Sequence, residues 1–168
     1  MKYILTVLMI CVLLAGCVAP PEATEPTVFT MIQTDPIEVP TETMAPVLLT
    51  YQIYLPNGNA DGFVIETVEV PQITADIILA ELQARGVLSE AVTINGFGSV
   101  DNQLNIDFNQ AFGDLVCSMG TSGELMIVGS VVNTFLNAFQ AESVYFTVDG
   151  QILESGHVIY DFPITFIE

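Results

Sequence analysis

The chain has 168 residues, 51% of them hydrophobic, which is enough for one ordinary domain with a sizeable core. Twenty acidic residues face only two basic ones, Lys2 and Arg85, so the formal net charge is −18. Such a surface cannot neutralise phosphates, and we therefore expect no nucleic-acid partner and no direct binding to anionic lipid headgroups.

Residues 1–16 have the features of a signal peptide, with a positive charge at Lys2 followed by an apolar run from Tyr3 to Leu14. The run is shorter than the roughly 20 apolar residues of a transmembrane helix. It ends in Leu14-Ala15-Gly16-Cys17, which resembles the bacterial lipobox, where cleavage precedes a cysteine that carries diacylglycerol. We expect acyl chains such as palmitate on Cys17 to fix the protein to the extracytoplasmic face of the cell membrane. The alternative is a plain secretory leader.

Residues 17–46 contain the lipidated Cys17 and a stretch rich in Pro, Thr and Glu. Prolines and like charges favour an extended chain of about 3.1 Å per residue, which gives a reach on the order of 90 Å. The composition predicts a tether between the membrane and a folded domain at residues 47–168. A recognition segment for a polyproline-binding partner is the alternative, but the stretch lacks a PxxP core.

The first part of the domain has the pattern of a hairpin. Two strand-like runs, Leu48–Leu55 and Phe63–Val70, flank the turn-forming residues 56–62. Asn57-x-Asn59-x-Asp61-Gly62 also matches the opening of an EF-hand calcium loop. However, the twelfth position is Val68, where a bidentate Glu is required, so turn chemistry is the favoured interpretation.

A helix is predicted next, from an N-cap at Thr74 to about Arg85, with Gly86 as its stop. Ile78, Leu79 and Leu82 supply its buried stripe. Two extended stretches follow, Ala91–Val100 and Gln103–Phe108.

Thr121-Ser122-Gly123-Glu124 is a capping-box pattern that predicts a second helix, continuing to about Phe139. Its expected buried stripe consists of Leu125, Val128, Val132, Phe135, Leu136 and Phe139. Further strands are predicted at Ser143–Val148, Gln151–Glu154 and Val158–Ile167. Two β-β-α units in sequence predict an α+β fold, with helices packed on a largely antiparallel sheet.

Three segments of the domain carry a family resemblance: Gln52–Pro56, the Asn105–Phe112 block (NIDFNQAF), and the passage from NTFLNAF into SVYFTVDG at residues 143–150. In these segments the domain resembles the GerMN family, the sporulation and spore-germination module of lipoproteins in Gram-positive bacteria. It implies a non-catalytic, envelope-facing module, with a role in sporulation, germination or cell-wall processes, and no catalytic residues to carry over.

Few residues are suited to catalysis. Cys117 is the one cysteine of the mature domain, for which a small buried hydrophobe is the favoured interpretation. His157 is the one histidine, and pairings of Cys117 with His157, or of a serine with His157 and Asp161, stay open from sequence alone. Ser122 misses the GxSxG elbow. Carboxylate pairs for glycoside hydrolysis are too abundant to be informative.

No zinc spacing and no phosphate loop are present in the sequence, and we expect no metal and no cofactor.

We therefore predict a lipid-anchored protein whose domain acts as a non-catalytic binding or assembly module in the cell envelope. Its partner would be an envelope protein or a peptidoglycan fragment, bound on a patch with exposed aromatics such as Tyr51, Tyr54 or Tyr145. The alternatives are a cell-wall hydrolase that uses carboxylates or Cys117 and His157, and a structural spacer without a ligand.

Replacing Cys17 by Ala is expected to abolish labelling by a radioactive fatty acid and to move the protein from the membrane fraction to the soluble fraction. Cys11→Ala, a change within the apolar run, is the matched control and should leave both unchanged. A Cys17→Ala protein that still incorporates the label would contradict the proposed anchor.

Overall fold

The computed structural model describes residues 47–168. The predicted signal peptide, Cys17 and the tether lie outside the described residues. Within them the elements are β1 (Leu49–Pro56), β2 (Phe63–Val70), α1 (Ala75–Ala84), β3 (Ile94–Val100), β4 (Gln103–Phe108), α2 (Gln110–Ser118), α3 (Thr121–Phe139) and β5 (Ser143–Val148). Strands β1 and β2 pair antiparallel, as do β3 and β4, whereas β4 and β5 are parallel. The predicted α+β class is confirmed.

Alternation along β4 and β5 gives the three-stranded sheet one apolar face. Every second residue of these strands is buried: Leu104, Ile106, Phe108, Val144, Phe146 and Val148. Phe108 and Phe146 form an aromatic cluster with Phe112 of α2, with ring centroids 4.3–6.3 Å apart. This face and the helices make the core, while the opposite face of the sheet stays open.

Helix α1 follows its local sequence signals. The Thr74 hydroxyl accepts a hydrogen bond from the Ile77 amide at 3.3 Å, as expected of an N-cap. The helix ends at Ala84, and Gly86 then adopts a positive φ of 73° that only glycine reaches without strain.

Helix α2 was not predicted. Its Gly113, Asp114 and Ser118 are poor helix formers. The helix forms because Phe112 and Val116 are completely buried against the sheet, so packing outweighs propensity.

The predicted capping box of α3 is wrong. Gly120 occupies the N-cap, and no side chain bonds to the backbone there. Glu124 instead points inward and is only 2% exposed. One of its carboxylate oxygens has partners within the protein, and the other is buried without a hydrogen-bond partner among the described residues. Leu125, expected in the buried stripe, is 47% exposed.

One face of α3 carries a polar stripe, which we define as Ser130, Asn133, Thr134 and Asn137. The stripe lies along the edge of β1 that β2 leaves unpaired. Thr134 Oγ1 accepts from the Tyr54 amide at 3.1 Å, and Asn137 Oδ1 accepts from the Gln52 amide at 2.7 Å. The Ser130 hydroxyl donates to the Tyr54 carbonyl. Helix side chains thus satisfy backbone groups that a neighbouring strand would otherwise satisfy.

The C-terminal segment, residues 151–168, packs against α3 at two points. Asn133 both donates to the Ile167 carbonyl (2.7 Å) and accepts from the Ile167 amide (2.9 Å). One carboxylate oxygen of Glu124 accepts from the Tyr160 hydroxyl at 2.6 Å and from the Ser155 hydroxyl at 2.5 Å. Burial, and then the contact with Glu124, raises the pKa of Tyr160 above its ordinary value.

The two strands predicted in the C-terminal segment are wrong. Only isolated bridges form there, between Val144 and Ile164, Val148 and Gln151, and Glu154 and Ile159. Because side chains of α3 fix this segment, a continuous ladder is not needed to hold it.

Replacing Thr134 by Val is expected to lower the free energy of unfolding by about 1–3 kcal/mol, because the buried Tyr54 amide loses its acceptor. Thr50→Val, the same change at an exposed site of β1, is the control and should alter stability by less than about 0.5 kcal/mol. Urea denaturation measures both. Equal effects at the two sites would contradict the proposed role of the stripe.

Replacing Tyr160 by Phe is expected to lower the free energy of unfolding by about 1–3 kcal/mol near neutral pH. Because folding raises the pKa of Tyr160, its contribution is complete below a pH of about 10, the unfolded value, and is lost as the pH rises through the folded-state pKa. The gap between wild type and variant should therefore narrow in strong alkali.

Tyr145→Phe is the control for this experiment, because the Tyr145 hydroxyl has no hydrogen-bond partner among residues 47–168 and its removal should be silent. A Tyr160→Phe protein with wild-type urea and alkali unfolding curves would show that the contact with Glu124 contributes nothing.

Candidate functional site

An apolar groove lies between the first turns of α3 and the C-terminal segment. The cavity has a volume of about 220 Å³ and is lined by Leu125, Val128, Val158, Tyr160, Phe162, Ile164 and Ile167. The two contacts that fix the C-terminal segment, at Glu124 and at Asn133, also hold the two walls of this groove together.

The groove has a buried floor and an exposed rim. Val128 is 2% exposed and Tyr160 6%, whereas Leu125 and Phe162 are 47% and 48% exposed. The Tyr160 hydroxyl is occupied by Glu124, so the ring contributes its apolar surface to the floor. A concave surface with exposed Leu and Phe side chains at its rim is typical of an interaction site.

The surroundings of the groove are acidic. Glu154, Asp161 and Glu168 are exposed in the C-terminal segment that forms one wall. Arg85, the one Lys or Arg residue within residues 47–168, bonds to Glu66 and Glu81. The described surface therefore offers no unpaired Lys or Arg to balance the carboxylates.

Cys117 is exposed, so the interpretation of a buried hydrophobe is wrong. It lies near the C-terminal end of α2, where packing has turned its side chain outward, and its thiol donates to the Glu154 carbonyl at 3.7 Å. Sequence spacing could not show this orientation, because α2 itself was not predicted. Arg85 is engaged with Glu66 and Glu81, so it does not supply a cation to the thiol.

His157 is also exposed, and with Glu154 it lines a shallow cavity of about 350 Å³. Cys117 and His157 therefore lie at the same end of the domain, each beside Glu154. Within the described part of the chain, no hydrogen bond joins His157 to Cys117 or to Asp161, and Ser122 lies exposed in the first turn of α3. The structure does not assemble a nucleophile, a base and an orienting group from these residues.

In the loop at residues 57–62, side-chain oxygen atoms accept hydrogen bonds from other residues of the same loop. Asn57 Oδ1 accepts from the amides of Asn59 (3.1 Å) and Asp61 (3.2 Å), and Asn57 Nδ2 donates to Asp61 Oδ1 at 2.8 Å. This is the turn chemistry favoured from sequence. Nowhere in residues 47–168 do three or more His, Cys, Asp or Glu residues cluster as a metal site.

Of the three tyrosines expected on an exposed patch, two are buried. Tyr51 and Tyr54 are 3% and 6% exposed, and burial raises the pKa of Tyr51 to about 12. Tyr145 is half-buried on the open face of the sheet.

Sequence reasoning did not single out Leu125, Phe162 or Glu124 as surface or anchoring residues. A signal was present in Glu124 and Tyr160, two polar groups inside apolar stretches, but only the folded chain brings them together. Among the described residues, no helix is both long and apolar enough to span a membrane.

Three solved structures from two bacteria are similar to this chain. The tandem GerMN domains of the sporulation protein GerM from Bacillus subtilis match with 22% identity and a TM-score of 0.51, over 71% of this chain and 45% of theirs. The first GerMN domain of the same protein matches with 18% identity and a TM-score of 0.44, over 61% and 84%. A protein described as a lipoprotein from Clostridium perfringens matches with 15% identity and a TM-score of 0.42, over 70% and 87%.

The chain thus spans less than half the length of the tandem-domain protein, and that likeness supports the fold alone. No curated protein matches the chain significantly in sequence. The model of the Germane family, described as "Sporulation and spore germination", matches residues 52–154, which is more than half of the chain and includes most of the described domain. The chain therefore belongs to the sporulation and spore germination family, which confirms the GerMN resemblance seen in its sequence.

Proposed function

We propose that this protein is a lipid-anchored, extracytoplasmic and non-catalytic module that binds a cationic protein of the cell envelope through the apolar groove. Leu125 and Phe162, half-exposed over a buried floor, are the observation that carries the proposal. Because both side chains are already about half buried, burying the remainder would contribute on the order of 1 kcal/mol each.

The anchor and tether define where binding takes place. The lipobox ending in Cys17 supports attachment to the outer face of the membrane, and residues 18–46 support an extended tether. Membership of a sporulation and germination family agrees with a role in the envelope.

The negative charge of this protein limits which partners can bind at the groove. A second copy of this chain would bring its own net charge of −18 to the contact, so self-association through the groove is electrostatically opposed. Glu154, Asp161 and Glu168 next to the groove favour a partner with Lys or Arg around an apolar centre. Complementary charge would raise the association rate, while Leu125 and Phe162 would supply most of the affinity.

Non-catalytic action is supported by the separation of the reactive groups. Cys117 and His157 are both exposed and do not bond to each other, and Arg85, the one Lys or Arg of the described residues, is paired with Glu66 and Glu81. A hydrolase would need a nucleophile or acid pair held in a cleft, whereas the groove is lined by apolar residues and Tyr160.

Photocross-linking in the native host tests the proposal. A photoreactive phenylalanine analogue at position 162 of the full chain is expected to give discrete adducts with an envelope protein that has a basic face. The same analogue at Ile65, which is 52% exposed on β2, is the matched control and should give none of them. Leu125→Asp should reduce the yield at position 162 about tenfold, because it places a charge in the apolar contact.

Identical adducts from positions 162 and 65, or a yield unaffected by Leu125→Asp, would sink the docking role. The absence of adducts at either position would favour the structural spacer. Labelling of Cys17 decides the anchor separately.

A further inference from the structure

The open face of the three-stranded sheet carries a second surface, the sheet trough, on the side away from the helices. The cavity over it has a volume of about 360 Å³ and is lined mainly by Gly96, Gly98, Asn105, Asp107, Tyr145 and Thr147. These residues form two rows across β3, β4 and β5: Gly98, Asn105 and Tyr145 in one, and Gly96, Asp107 and Thr147 in the other. The two glycines of β3 contribute no side chain to the trough.

The fold does not require glycine on this face. A Cβ at Gly98 would meet no atom of the described chain within 4 Å, and one at Gly96 would lie 3.7 Å from Asp107 Cβ, an ordinary contact. Neither glycine is among those with positive φ. Glycine within a strand weakens it by roughly 0.5–1 kcal/mol relative to Ala, and it leaves the backbone open to close approach by a ligand.

Polar groups around the trough keep unused hydrogen-bonding capacity. Asp107 Oδ1 accepts from the Thr147 hydroxyl at 2.6 Å and from the Gly150 amide at 2.8 Å, and these bonds lower the pKa of Asp107. The Asn95 side chain also lowers this pKa, so the carboxylate is ionised at neutral pH. Because a carboxylate has about four lone-pair sites, it keeps acceptor capacity beyond these contacts.

Asn105 and Tyr145 provide the complementary groups. Asn105 Oδ1 accepts from Gln103 Nε2 at 3.0 Å, which leaves the amide NH₂ of Asn105 as a donor. The Tyr145 hydroxyl has no partner in the described domain, and its ring stands beside Asn105 on the neighbouring strand. A fixed carboxylate acceptor, an amide donor and an aromatic ring thus lie on β4 and β5, beside the bare backbone of β3.

We propose that the sheet trough binds an uncharged carbohydrate chain. Sugar hydroxyls both donate and accept, so they suit Asp107 and Asn105 together, and the apolar face of a sugar ring can pack on Tyr145. The ionised Asp107 and the net charge of −18 oppose acidic sugars and phosphates. This site is separate from the apolar groove, and it does not depend on the protein-binding role.

Binding of two neutral tetrasaccharides, one of N-acetylglucosamine and one of glucose, tests the proposal, with tetragalacturonate as the acidic counterpart. The full lipidated chain in phosphatidylcholine nanodiscs is titrated with each sugar by NMR. Either neutral sugar is expected to bind, and the stronger of the two identifies whether the acetamido group contributes. Tetragalacturonate should bind at least about tenfold more weakly.

Gly98→Val is the decisive variant, because it adds a side chain within the trough at a position where a Cβ meets no atom of the described domain within 4 Å. It should weaken binding of the neutral sugar at least about tenfold, and Tyr145→Ala about tenfold. Gly58→Val is the matched control, since a Cβ at Gly58 also meets no described atom within 4 Å, and binding should be unchanged. Thermal unfolding checks that each variant is folded.

Phe162→Ser should leave sugar binding unchanged, which separates this site from the groove. The proposal is overturned if neither neutral sugar binds, if Gly98→Val binds as wild type does, or if tetragalacturonate binds equally well.

Discussion

The structure depends on the hydrogen bonds between side chains of α3 and the unpaired backbone edge of β1. Strand β1 pairs with β2 on one side only, and the polar stripe of α3 satisfies the other side. Ser130, Asn133 and Thr134 are fully buried, and leaving the backbone groups that they satisfy without partners would cost about 1–3 kcal/mol each. The helix and the hairpin are therefore held in one register relative to each other.

The same helix positions the groove. Asn133 belongs to the stripe and also binds the backbone of Ile167, while Glu124, near the other end of α3, binds Tyr160 and Ser155. The C-terminal segment lacks a continuous β-ladder, and these hydrogen bonds fix its position against α3. Phe162 lies in the chain between the two contact points, Tyr160 and Ile167. The hydrogen bonds from α3 to this segment therefore also position the proposed protein-binding surface.

Two surfaces of different chemistry result. The apolar groove, beside exposed carboxylates, suits a cationic protein, whereas the sheet trough offers Asp107, Asn105 and Tyr145 next to bare backbone. The proposals assign a protein partner to the first surface and a neutral carbohydrate to the second.

Local patterns in the sequence determined the α+β class, the β1–β2 hairpin, the Thr74 cap and the turn at Asn57, because neighbouring residues decide these features. They also carried the family resemblance. Tertiary structure alone decided that α2 forms, that Glu124 points inward and that Cys117 and Leu125 are exposed. Those outcomes depend on partners more than 30 residues away, such as Tyr160 for Glu124, whose positions local periodicity does not contain.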